Sequence, residues 1–358
     1  MLKPLQTAKG VATLAVVATA LLYTYLPDGL LGASIEFGWL WFSLYIVLLT
    51  HVCITAMSLS FHRHHTHKGV IIKRPVDYPM QLFLWLVTGM NKSDWVSVHM
   101  YHHANSDKPK DPHSPIHKGF WHVFFLGGID YNNAKSSPEV EKIANRLPMS
   151  RTETFFKENT ALGLILMSLI NLAVFGLQWG WIFNLANYLV SPIFAVGGVN
   201  ALAHWVGYKN HKSGDNSRNI GFLFPLNFMI CGELDHNNHH GHQKSCSFRH
   251  KWYEFDIGYV YIKILAAFNL AKIKNVYNPT KMKEDLARRV ARMIEKNNEM
   301  QEKIEQLAND LDTSVNELIQ EIKLYIEGKK VTLQKPVIEF KKEVLQMVYA
   351  TYHEPALA

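Results

Sequence analysis

Four uncharged apolar runs, separated by polar stretches of very unequal length, set the expected architecture. Residues 10–26 carry no charge and follow Lys3 and Lys9. That length fits a slightly short membrane helix or a signal-peptide core. No small-x-small cleavage site precedes the turn at Pro27-Asp28-Gly29, and another apolar run follows at once, so an uncleaved helix is expected. The second run, 37–58, starts with Phe37 and places Trp39 and Trp41 where aromatic residues favour the membrane boundary. Runs three and four, 160–177 and 182–206, flank an uncharged turn at 178–181, with Pro192 and Gly197-Gly198 as expected kink points. Segments 80–90 and 221–231 are apolar but too short to cross, which predicts buried or surface-lying helices. Beyond Lys281, segments 286–307 and 315–326 repeat apolar positions at helical spacing among Glu, Lys and Arg.

Charge orients these runs. The loop at 27–36 has no Lys or Arg, whereas 61–158 has thirteen. Positive charge stays on the cytoplasmic side, so the N-terminus and 61–158 are expected there. Four spans in two hairpins return 207–275 to the same face. The expected fold is all-α and integral to the membrane: four transmembrane helices in two hairpins, capped by a cytoplasmic helical domain. Residues 1–275 form this membrane domain and 276–358 a charged helical tail. The net charge of +7 fits a phosphate-bearing partner or an anionic membrane surface. No nucleic-acid motif accompanies it, so nucleic acid is excluded as a partner. Cys53, Cys231 and Cys246 lack metal or redox spacing and read as free thiols facing a reducing compartment.

Nineteen histidines are far more than the fold needs, and they cluster. His99-Met100-Tyr101-His102-His103 and His236-Asn237-Asn238-His239-His240 share the pattern His-x-x-His-His. Residues i, i+3 and i+4 share a helix face, so each trio can converge. Its last two members are still about 100° apart, so each can serve a different metal. A third cluster holds His62 and His67, five apart and off-face on a regular helix, which calls for a bend at the membrane surface. His64 and His65 lie between them, and the outer pair is the better ligand candidate. Asn200 and His204, spaced i and i+4 near the end of the fourth run, are a costly polar pair in an apolar segment and read as functional. Imidazoles without thiolates suit iron, copper or zinc. Nine histidines are too many for one ion and enough for two. His-Glu-x-x-His does not occur, and Glu-x-x-His occurs once, at Glu233–His236, not twice as a carboxylate-bridged di-iron bundle requires, so neither a zincin nor that bundle fits. His51, His113, His117, His122, His211, His242, His250 and His353 read as ordinary solvated or hydrogen-bonded histidines.

These residues resemble the membrane fatty acid desaturases, specifically the stearoyl-CoA-type delta-9 group. His62-x-x-x-x-His67, His99-x-x-His102-His103, Asn200-x-x-x-His204 and His236-x-x-His239-His240 stand in that group's order. Arg63, Trp95, Asp111-Pro112-His113 and Gly232-Glu233 match its flanks, and Phe255-Asp256-Ile257-Gly258-Tyr259 resembles its bacterial branch. The resemblance covers roughly residues 10–265. It implies one iron held by His62, His67, His99, His103 and His239. The other would be held by His102, His204, His236 and His240, with Asn200 acting through a water. It implies an oxygen-dependent desaturase that places a delta-9 cis double bond in a saturated acyl chain, with dioxygen as co-substrate. The setting would be a bacterial inner membrane, with the site on the cytoplasmic face. No His-Pro-Gly-Gly motif is present, so electrons would come from a separate donor of the ferredoxin, cytochrome b5 or reductase type. Acyl-CoA is the substrate that the resemblance implies, and an acyl-lipid is the alternative. Ser97 stands where animal enzymes carry an arginine that helps bind CoA. Trp95 and Lys92 are the candidate substrate contacts.

Two other readings compete. A hydroxylase of the same superfamily would use the same cage, although the Asn200/His204 pair and the flanks favour desaturation. A non-catalytic membrane metal carrier would be expected to place polar residues through the middle of several spans.

Overall fold

The computed structural model describes residues 8–32, 38–311, 313–329 and 331–352. Phe37, at the expected start of the second span, and His353 lie outside the described residues. The chain forms two units, Met1–Val276 and Tyr277–Ala358.

The first unit is mostly helical. Its apolar helices are α1 (Ala8–Tyr25), α2 (Trp39–Ala56) and a long α6 (Thr160–Pro192). Between α2 and α6 lie α3 (Arg74–Thr88), α4 (Lys92–Asn105) and α5 (Phe120–Lys135), and the short α7 (His236–Gly241) follows α6. Two helices among the described residues are long and apolar enough to cross a membrane, Trp39–Thr66 and Thr160–Leu189. The third and fourth expected runs are joined in α6, which turns at Gly176, where φ is +77°. That is earlier than the expected turn at 178–181. The physical reason is local. A side chain at Gly176 would meet the Asp28 backbone at 2.6 Å, and only glycine enters this backbone region without strain. The Leu177 amide donates to the Pro27 carbonyl, so the first apolar helix and α6 meet at this corner.

Two wide helical turns replace expected irregularities. α2 runs without a break into a π-helix at Met57–Thr66, and α6 runs into another at Ile193–Ala201, followed by a 3-10 turn at Leu202–His204. Glycine at 197 allows close packing: a Cβ there would approach the Phe124 carbonyl of α5 to 2.7 Å. The segments at 80–90 and 221–231 contribute α3 and a short helix, Phe224–Met229.

The fold is not purely α. β1 (Val70–Ile72) pairs antiparallel with β2 (Ala271–Ile273), Val70 opposite Ile273. This ladder fixes the chain just after His67 to the end of the first unit. Arg63 adds a second tie. Its guanidinium bonds Asp256 at 2.9 and 3.0 Å, the Cys231 and Cys246 carbonyls, and the face of Phe248. A buried charge is tolerated only when paired and bonded in this way. Ile54, Leu59, Phe61, Leu84, Ile220, Ile230 and Ile262 form the core around it. All three cysteines are buried and free.

The second unit contains α8 (Pro279–Lys296), α9 (Asn298–Asp310), α10 (Val315–Glu327) and α11 (Lys335–Tyr352). The expected 286–307 helix is divided because the Asn297 side chain caps α9 by accepting from the Met300 amide. Val290, Ile294, Ile304, Leu318, Ile322, Val337 and Val344 give this unit its own core.

Candidate metal centre

The first histidine cluster depends on helix width. The His67 amide donates to the His62 carbonyl at 3.1 Å, an i to i+5 bond. In a π-helix, residues five apart lie one turn apart, so both imidazoles share a side. No bend is needed, and the off-face expectation for this pair is corrected. His64 and His65 turn elsewhere, toward the Val70 carbonyl and the Asp77 carboxylate. The second cluster lies on α4, whose N-terminus is capped by Asn91 accepting from the Asp94 amide. The third forms α7. Asn200 and His204 are not on one α-helix: Asn200 lies in the second π-helix and His204 in the 3-10 turn.

The nine histidines converge in two groups. His62, His67, His99, His103 and His239 each offer a ring nitrogen, all within 4.8 Å of one another. His102, His204, His236 and His240 do the same. His102 and His103 therefore belong to different groups, as do His239 and His240.

Hydrogen bonding alone cannot account for the first group. Its Nε2 atoms form a chain: His67 to His99 at 3.2 Å, His99 to His103 at 2.9 Å, His103 to His239 at 2.9 Å, and His239 to His62 at 2.9 Å. A ring nitrogen carries either one hydrogen or one lone pair and so joins one hydrogen bond. Five nitrogens can satisfy at most two of these four contacts, and a cation among them satisfies all. In the second group the Nε2 atoms of His102, His204, His236 and His240 are buried without a hydrogen-bond partner. Each such atom costs about 1–3 kcal/mol. The donor set in both groups fits a transition-metal ion.

Carboxylates hold the rings. Asp111, Asp107 and Asp215 approach Nδ1 of His102, His204 and His240 at 2.8, 2.8 and 2.6 Å. Glu233 approaches Nδ1 of His62 at 3.0 Å. A proton held at Nδ1 leaves the Nε2 lone pair for a metal. Each carboxylate is itself fixed: Asp107 by the Asn216 amide, Asp111 by the His113 amide, Asp215 by Ser217, and Glu233 by Ser58. Burial opposes charge on all four. The facing imidazoles and these donors outweigh it and hold the carboxyls below their ordinary range. Burial, reinforced by neighbouring histidines, pushes His67, His99, His103, His236 and His239 well below the usual imidazole range, which keeps them neutral. Four carboxylates thus bring negative charge beside the two groups, which would complement bound cations. Residue spacing missed these four in that role. Asp107 and His204 are 97 positions apart, which no local pattern can link.

A cavity of about 310 Å³ adjoins both groups, with His62, His99, His236, Asn200 and Glu233 on its wall. Met57, Thr88, Met90, Val98, Leu164 and Val199 make much of the remaining lining apolar. Trp95 lines it too and stacks on His99, with centroids 4.7 Å apart. Lys92 does not. Its ammonium is buried against Glu153 and the Pro148 carbonyl, both at 2.7 Å, so its expected role as a substrate contact is corrected to a structural one.

Paired polyhistidine groups beside a largely apolar cavity fit a metal-binding protein, and two helices have the length and composition to cross a membrane. More narrowly, the chain belongs to the fatty acid desaturase family, whose sequence model matches residues 8–268. That family consists of oxidoreductases of lipid metabolism. The chain is 32% identical over 251 residues to the delta-9 desaturase-like 2 protein of Arabidopsis thaliana, covering 67% of this chain and 77% of that one. It is 30% identical over 224 residues to the sn-1 stearoyl-lipid 9-desaturase of Synechocystis sp., covering 60% and 66%. It is also 30% identical over 250 residues to an acyl-CoA 5-desaturase of Anemone leveillei, covering 67% and 74%.

Proposed function

We propose that this protein is an oxygen-dependent acyl desaturase with two irons, forming a cis double bond, at the delta-9 position, in a saturated acyl chain. The observation that carries this reading is the pair of convergent histidine groups opening on one apolar cavity. His62, His67, His99, His103 and His239 would hold one iron. His102, His204, His236 and His240 would hold the other, and Asn200, which lines the same cavity as His236, would act through a water. When bound, the irons supply the oxidising power that an unactivated methylene requires.

The chain's own residues supply position and insulation. Trp95 packs against His99 and would press the acyl chain toward the histidines. Asp107, Asp111, Asp215 and Glu233 keep the ring protons at Nδ1. Burial of the centre keeps bulk water from the reacting carbons. Overall, two hydrogens leave the chain, and with dioxygen, two electrons and two protons they form two waters. The electrons would come from a separate ferredoxin, cytochrome b5 or reductase-type donor. We place four spans in the membrane, α1, α2 and the two arms of α6 about Gly176, with the histidines at the cytoplasmic face of a bacterial inner membrane. Lysines and arginines between residues 61 and 158 support that orientation.

For the acyl carrier, CoA and a lipid ester are the two options, and relatives of both types are named. Ser97 is fully buried and its hydroxyl returns to the Ser93 carbonyl, so this position offers a soluble carrier nothing. Expression in a host without this desaturation, followed by fatty acid profiling, tests the proposal. A new chain lighter by two hydrogens is expected. An unchanged profile, or a chain gaining oxygen, would overturn it.

A further inference from the structure

α5 has two working faces. Gly128, Tyr131, Asn132 and Lys135 line the catalytic cavity. Trp121, Phe125 and Ile129, spaced i, i+4, i+8, form an apolar stripe that is 67%, 59% and 58% exposed. A helix of 16 residues is too short to cross a bilayer, and an exposed apolar stripe of this kind suits the bilayer surface. Its position agrees. Val123, Phe120 and Phe124 pack on Ala201, and Phe124 on Gly197, in the π-helix that continues α6. α5 is thus seated at the end of a membrane-length helix.

The two faces meet at Asn132. This residue lines the cavity and is exposed, and Ile129 lies one turn away on the same side. The cavity therefore opens beside the apolar stripe. Just inside, the Tyr131 hydroxyl is buried without a hydrogen-bond partner. Asn91, Asp94 and Lys135 complete this polar end of an otherwise largely apolar lining.

We propose that α5 lies in the membrane surface with Trp121, Phe125 and Ile129 in lipid, and that the acyl chain enters the cavity from the bilayer beside Ile129 and Asn132. The carrier is then a membrane-resident glycerolipid, whose ester carbonyl accepts from the Tyr131 hydroxyl while Lys135 faces its headgroup. A CoA ester carries several phosphates and would need a cluster of cations at the opening. The lining there provides one lysine, with an acidic Asp94 nearby. This inference rests on the desaturase reading and names its substrate class.

The test uses the purified, iron-loaded full chain with a reductase-coupled donor and dioxygen. One arm presents vesicles of dioleoyl lipid doped with deuterated stearoyl-oleoyl phosphatidylglycerol. The other presents deuterated stearoyl-CoA with the same vesicles undoped. Desaturation of the vesicle lipid is expected to be faster by at least about tenfold. Phe125→Glu and Ile129→Glu each place a charge in the exposed stripe. Each should retain wild-type iron content and its rate on the same glycerolipid in detergent micelles, and lose at least about tenfold on vesicles. Faster turnover of the CoA ester, or full vesicle activity in both variants, would overturn the inference. Loss of product from both carriers in iron-loaded wild-type protein would overturn the desaturase reading itself, and this inference with it.

Discussion

Replacing His239 by alanine is expected to abolish the desaturated product, a loss well beyond about 100-fold. Removing a mere outer partner of a metal ligand already costs about 10- to 100-fold. His239 is fully buried, and its Nε2 touches both His62 and His103 at 2.9 Å. It bridges His62 and the second cluster on α4, so its removal takes a ligand from the middle of the first group. The fold should persist, because the Arg63–Asp256 pair and the β1–β2 ladder hold the same segments independently. The check is a fatty acid profile together with thermal unfolding in detergent. A variant that folds and still forms product would remove His239 from the centre.

Asp215→Asn is the second large effect. The carboxylate bonds Nδ1 of His240 at 2.6 Å and is fixed by Ser213 and Ser217. An asparagine fits the same space but presents an amide that can donate to Nδ1. The ring proton then moves to Nε2, the atom that faces the other three histidines, and His240 no longer offers a lone pair there. Iron affinity of the second group should fall by about 10- to 100-fold, while the first group retains its ion. Competition with a chelator, following iron release, measures this directly. Equal release from variant and wild type would show that Asp215 does not set the ring's tautomer.

The sequence announces the histidines because their spacing is local. His-x-x-His-His shares a helix face wherever it occurs, so α4 and α7 could be read directly. The helical content of 315–326 was legible for the same reason. What was not legible depended on backbone geometry or distant partners. The His62/His67 pair requires the wider π turn, and nothing in the spelling distinguishes that from a bend. Asp107 and Asp215 are ordinary loop residues until the fold brings them to His204 and His240. Gly176 gives its corner only through close approach to Asp28, 148 positions earlier. Lys92 lies near the second histidine cluster, which in sequence suggests a substrate contact, and burial against Glu153 overrides that proximity. The two strands were missed because each is three residues long and pairs across 200 positions.

On the proposed reading, nine histidines form two separate metal subsites. Iron analysis of the purified full chain, set against protein concentration, tests it most directly. Two irons per chain are expected, as the separation of His102 from His103 and of His239 from His240 requires. A single iron at saturation, or none retained against a weak chelator, would contradict it.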